Sequence, residues 1–126
     1  MFKAIVMIKR KPDISHEEFV YYYEKFHAVL GARKVPNLKR YVRDFLQPYG
    51  DGTYTLEEAP YDVITEIWFD DEEDFQRGMV YLSAPDTVAE LMEDELKFMD
   101  RASIRVYTVQ TYETDLSTGE SKGRIN

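Results

Sequence analysis

Residues 18–30, EFVYYYEKFHAVL, form the longest strongly periodic stretch of the chain, and they follow a short β-branched apolar run, FKAIVMIKR, at residues 2–10. At about 100° per residue, Tyr22, Tyr23, Phe26 and Leu30 fall on the same side of a helix as Phe19. Glu17, Tyr21, Glu24 and Lys25 fall on the other side. Ser15 and Glu18 have the spacing of a capping box, so the helix starts there. Gly31 weakens it late and Pro36 closes it near Val35. An aromatic stripe of this kind, directly after a strand, needs a sheet to pack on.

The rest of the chain supplies that sheet. Residues 37–46, NLKRYVRDFL, alternate as a second strand, with Leu38, Val42 and Leu46 on one face and Tyr41 and Phe45 on the other. Residues 47–60 hold two Gly, two Pro and several acids and read as a long loop. Residues 61–69, YDVITEIWF, make a third strand. The acidic residues 70–73 suit a helix N-terminus, and that helix runs to about Leu82. Ser83-Ala84-Pro85 interrupts, and a further helix starts at about Asp86, with Val88, Leu91, Met92, Glu95 and Phe98 on one side. Residues 102–112 form the last strand, and the tail from Glu113 is polar, either mobile or draped over a partner. The order is that of a ferredoxin-like α+β fold, βαββαβ, with a four-stranded antiparallel sheet and helices on one face. The domain is expected over residues 1–112, with residues 113–126 as the tail. The uncovered sheet face carries too much Val, Ile and Tyr to stay exposed, so a homodimer packed sheet to sheet is expected.

Composition removes several function classes. A net charge of −8 leaves no basic stripe for nucleic acid. The chain has no cysteine, hence no disulfide, thiolate nucleophile or thiolate metal site. No apolar run is long enough for a membrane span, and no signal-peptide layout opens the chain, so a cytoplasmic location is expected. His16 and His27 lack metal-ligand spacing, and the six glycines do not gather into a nucleotide-binding loop. No metal and no cofactor are expected.

Two histidines remain. His16, just after the helix cap, is expected at the surface. His27 lies at the shoulder of the aromatic stripe, and imidazole exchanges protons near neutrality. Periodicity leaves two readings open: a boundary histidine bonded to a carbonyl, or the working group of a pocket. Tyr22, Tyr23 and Tyr41 could each donate to a substrate carbonyl or simply be core tyrosines. Glu66 shares a strand face with Trp68, where it could orient His27, bind substrate, or pair with Arg40 or Arg105.

The blocks KRKPDISHEEF (9–19), YEKFHAVLGAR (23–33), VPNLKRYV (35–42), YDVITEIWF (61–69) and DELKFMD (94–100) together resemble the EthD family in order and spacing. The resemblance covers about residues 2–112. It implies a dimeric α/β barrel with a hydrophobic cavity between helices and sheet, faced by the histidine of the F-H-A-x-L block. On that resemblance His27 inherits a general-base role and Tyr41 assists it. Phe19, Tyr22, Tyr23, Phe26, Glu66, Trp68 and Phe98 are then the expected substrate-binding residues. The function implied is a cofactor-free isomerase or lyase, of lactone-isomerase or polyketide dehydratase/cyclase type, acting on a small hydrophobic carbonyl compound. The alternatives are a non-catalytic small-molecule binder or accessory protein, and a cofactor-free monooxygenase.

Overall fold

Four strands carry the molecule: β1 (Phe2–Arg10), β2 (Arg40–Phe45), β3 (Val63–Phe69) and β4 (Met99–Thr108). They form one antiparallel sheet in the order β2-β3-β1-β4. The computed structural model describes residues 1–50 and 57–126. Of the loop expected over 47–60, residues 51–56 lie outside the described residues; those on either side have no regular structure. Between β1 and β2 run α1 (His16–Tyr22), a π-helical turn (Tyr23–His27) and α2 (Ala28–Lys34), and between β3 and β4 run α3 (Glu72–Leu82) and α4 (Pro85–Glu95). This is the ferredoxin-like α+β arrangement.

Local chemistry sets these boundaries. Ser15 accepts the Glu18 N–H at 3.0 Å while Glu18 reaches back to the Ser15 N–H at 3.3 Å, a reciprocal cap of a kind that contributes about 1 kcal/mol. Asp71 caps α3 by accepting the Asp74 N–H at 2.8 Å. Pro85, expected as a breaker, is instead the first residue of α4, where its missing N–H costs nothing. The second strand starts three residues later than its pattern suggests. Asn37 takes φ 62°, a left-handed conformation that turns the chain before β2.

The last strand also differs from expectation. It begins at Met99 and ends at Thr108, because the β1–β4 register shifts between Met7 and Lys9. Met7 faces Arg105 whereas Lys9 faces Asp100, a bulge that hides the alternation at the strand's start. Ser103 mends the broken ladder: its hydroxyl accepts the Lys9 N–H at 2.8 Å and donates to the Asp100 carbonyl at 2.6 Å. The tail is folded rather than loose. Tyr112–Thr114 and Ser121–Arg124 pair as a hairpin, β5 and β6, and Asn126 ties back to Thr111 and Val109.

Alternation along β3 separates the two faces. Val63, Thr65, Ile67 and Phe69 are buried beneath the helices, and Ile64, Glu66 and Trp68 point the other way. The core on the helix side joins Phe19, Tyr23 and Phe98 through tilted and edge-on ring contacts of 5.5–5.9 Å. Among the described residues no helix or strand layer covers the opposite face. There Lys3 and Arg40 stand over the Trp68 ring at 5.0 and 5.1 Å, and the indole N–H donates to Glu66 at 3.1 Å.

His16, expected at the surface, is partly enclosed. Its Nδ1 lies 2.8 Å from Oδ1 of the nearly buried Asp62. Asp62 also accepts the Arg10 N–H and guanidinium, each at 2.8 Å. A histidine one residue past the cap meets the start of β3 here, a tertiary contact that helical periodicity does not encode.

Candidate functional site

The π-helical turn decides what the first helix presents. The Ala28 N–H bonds the Tyr23 carbonyl five residues back, so one extra residue fits into the turn. A uniform helix would bury Phe26 and leave His27 at its edge. The wider turn retards the phase by one position, so His27, Ala28 and Gly31 are buried while Phe26 is 45% exposed. His27 is left only 7% exposed, in the wall rather than at the shoulder.

Its imidazole is fixed on three sides. Nδ1 lies 2.8 Å from Oδ2 of Asp94, in the last turn of α4. The rings of Phe98 and Tyr23 stand 5.3 and 5.2 Å away. The other oxygen of Asp94 accepts the Tyr22 hydroxyl at 3.1 Å. Burial, and then this bond to a carboxylate, push the Tyr22 hydroxyl above the ordinary tyrosine range. A carboxylate accepting at Nδ1 selects the tautomer with the proton there and leaves a lone pair on Nε2. Nε2 has no hydrogen-bond partner among the described residues.

His27 lines a cavity of about 200 Å³ between sheet and helices. Its floor is Val6 and Ile8 of β1, Thr65 and Ile67 of β3, and Ile104 and Val106 of β4; its roof includes Met79, Leu82 and Leu91 of α3 and α4. Val106, on the edge strand β4, is half exposed. Four polar side chains other than His27 face this apolar space: Tyr23, Tyr41, Thr65 and Glu95. The Tyr23 hydroxyl lies 2.7 Å from Oγ1 of Thr65. Burial drives the Tyr41 hydroxyl far above the usual tyrosine range, and the neighbouring Tyr23 adds to the shift, so Tyr41 stays a neutral donor at any physiological pH. Gly31 makes room for it. A Cβ there would sit 2.9 Å from the Tyr41 hydroxyl oxygen.

Of the expected site residues, His27, Tyr41 and Tyr23 meet at this cavity. Phe19 and Phe98 are core; Phe98 backs the imidazole from behind without lining the cavity. Tyr22 lies outside, holding Asp94, and Phe26 points outward because of the π-helical turn. Glu66 and Trp68 are on the far face of the sheet, too far round to touch His27 or a ligand beside it. Thr65, on the same strand, is the one that faces in. Sequence reasoning missed Asp94, Glu95 and Gly31. Glu95 was legible only as part of an apolar helix face, and Asp94 only as the first residue of the DELKFMD block.

Among the described residues no group of three or more His, Asp or Glu side chains is placed to hold a metal, and no helix is long and apolar enough to cross a membrane.

The fold and the cavity thus define a ferredoxin-like α+β protein with a histidine–carboxylate pair set in the wall of an apolar cavity. The chain belongs to the EthD family: the EthD domain model matches residues 11–102. Its fold is similar to that of an EthD family protein from Bacillus halodurans, with a TM-score of 0.60, 20% identity, and coverage of 88% of this chain and 99% of that one. HapK from Hahella chejuensis is similar at a TM-score of 0.58 and 14% identity, over 91% of this chain and 96% of that one. A DABB family protein with a ferredoxin-like fold from Mesorhizobium loti is similar at a TM-score of 0.50 and 15% identity, over 87% of this chain and 95% of that one. At these identities the likeness is one of fold. Among curated proteins no sequence match is found.

Proposed function

We propose that this protein is a cofactor-free isomerase or lyase that moves a proton on a small hydrophobic carbonyl compound. The observation that carries the reading is the His27–Asp94 pair, 2.8 Å apart, in the wall of an apolar cavity that also holds the neutral Tyr41 hydroxyl. Nε2 of His27 takes a proton from the carbon next to the carbonyl, and the C–H electron pair becomes the C=C bond of an enolate. The Tyr41 hydroxyl donates to the enolate oxygen and spreads its charge. The imidazolium, stabilised by Asp94, then returns the proton to another carbon or to a departing oxygen, giving isomerisation or elimination respectively. A positioned base of this type contributes about 10²–10⁴-fold in rate; orientation within an apolar cavity supplies more.

The test needs no knowledge of the natural substrate. A bound methyl ketone such as para-nitroacetophenone loses α-hydrogen signal in deuterated water when a base removes those protons, and proton NMR reads the rate. Wild-type protein is expected to accelerate the exchange, and His27→Ala to remove at least about a hundredfold of it while the ketone still binds. Binding without any acceleration would instead favour carriage or an accessory role.

The bare sheet face supports a second element of the proposal, a homodimer packed sheet to sheet. Ile5, Met7, Val42, Ile64 and Trp68 lie on that face, each only partly buried, and a second sheet packed against it would bury them.

A further inference from the structure

We infer that the cavity takes neutral, single-ring carbonyl compounds and turns away those bearing a carboxylate, with Glu95 setting that choice. The inference rests on the proposed role of the cavity as a ligand site and narrows what the ligand is.

Size comes first. A dry cavity of about 150 Å³ is enough for benzene, and drug-sized ligands occupy about 300–1,000 Å³. At about 200 Å³ this one encloses one substituted ring, and a fused polycycle would have to extend out of it or displace the roof.

Charge decides the rest. Among the described residues no Lys or Arg lines the cavity, and Glu95 is the lining carboxylate. Its side chain is 17% exposed, and its Oε1 accepts from Nε of Arg101 at 3.1 Å. Arg101 is outside the lining, so the carboxylate is the charge nearer the cavity. The other guanidinium close by, on Arg43, lies across the Tyr41 ring at 4.8 Å and is held by Glu24 at 2.7 Å. A ligand carboxylate would therefore be desolvated beside a like charge, with Asp94 behind the imidazole and no cation to meet it. A neutral carbonyl needs only the donors that are present.

Calorimetry with three probes tests this. Para-nitroacetophenone and para-acetylbenzoate have nearly the same shape and differ by one negative charge; acetylanthracene adds two fused rings. Wild-type protein is expected to bind the nitro compound at least about a hundredfold more tightly than the carboxylate, and acetylanthracene more weakly than the nitro compound. Glu95→Gln is expected to narrow the ratio between the nitro compound and the carboxylate by at least about tenfold. Should that variant fail to fold, Glu95→Met supplies the same comparison. Equal binding of the two isosteres, or an unchanged ratio in the Glu95 variants, overturns the charge selection while leaving the ligand site standing. Tight binding of acetylanthracene overturns the size limit. Failure of every probe to bind overturns the inference together with the ligand role of the cavity.

Discussion

Oδ2 of Asp94 lies 2.8 Å from Nδ1 of His27, although the two residues are 67 positions apart and come from different helices. Phe98 and Tyr22 hold the two ends of this contact, one against the imidazole and one against the carboxylate. An amide at position 94 keeps the shape but can donate as well as accept, so it no longer enforces the tautomer that leaves Nε2 bare. Asp94→Asn is therefore expected to slow ketone α-proton exchange by about 10²–10⁴-fold and to leave ketone affinity within about threefold. An exchange rate equal to wild type would remove Asp94 from the mechanism.

Gly31 and Tyr41 make the second prediction. An Ala methyl at position 31 meets the hydroxyl oxygen at 2.9 Å and two ring carbons at 3.2 and 3.3 Å, so the ring must swing. Ala favours a helix by about 1 kcal/mol over Gly, and overpacking costs about 1–3 kcal/mol, so Gly31→Ala is expected to lower stability by no more than about 2 kcal/mol. Its exchange rate is expected to fall at least as far as that of Tyr41→Phe, about a hundredfold. Chemical denaturation and the NMR exchange assay read the two effects separately. A fully active Gly31→Ala protein would show that the Tyr41 hydroxyl is not needed where it sits.

What the sequence conveyed, and what it did not, divides along local and non-local lines. Ser15 and Glu18 announce α1 because a capping box is made within four residues, and the alternation of residues 63–69 separates inward Thr65 from outward Glu66. His27 was legible as a boundary residue, but its burial depends on a π-helical turn, and nothing in residues 23–27 distinguishes that from a continuous α-helix. Phe26 was lost to the same turn. Asp94 and Glu95 became site residues only through the packing of α4 against the first helix and the sheet. Glu66 and Trp68 were placed near the histidine by strand proximity alone, which does not say which side of a sheet a residue faces. The β4 bulge hid Met99 for a related reason: an inserted stretch destroys the period that sequence reading depends on.

Asp62 gives a prediction about acid. Burial raises its carboxyl, but the Arg10 N–H, the His16 ring and the Arg10 guanidinium outweigh that and hold it below the ordinary aspartate value. A carboxyl depressed in the folded state contributes stability above the unfolded-state pKa, and that contribution fades as pH falls through the folded value. Wild-type stability is expected to drop below about pH 4. Asp62→Asn is expected to be less stable at neutral pH, by about 2 kcal/mol, and to lose less on acidification. Denaturant titrations at pH 7 and pH 3 measure the difference. A variant whose loss on acidification matches wild type would show that Asp62 is not the carboxylate responsible.

Ile64 tests the pairing of two sheets. Its neighbours Val63 and Thr65 point into the core while its own side chain lies on the open face, opposite Met7 of β1 and Asp44 of β2. A Lys at this position can extend into water on a lone domain, so Ile64→Lys is expected to keep the helix content and melting cooperativity of wild type. Between two sheets the same ammonium would be desolvated, with the cross-strand Asp44 offsetting part of the cost, and about 2 kcal/mol or more should appear as weakened association. Sedimentation velocity is then expected to give wild type at twice the 14.9 kDa chain mass and the variant at the chain mass itself. A monomeric wild type would leave the open face needing another explanation. A variant that still dimerises with wild-type affinity would place the interface elsewhere, and the C-terminal hairpin, with Leu116 94% exposed at its turn, would be the next surface to change.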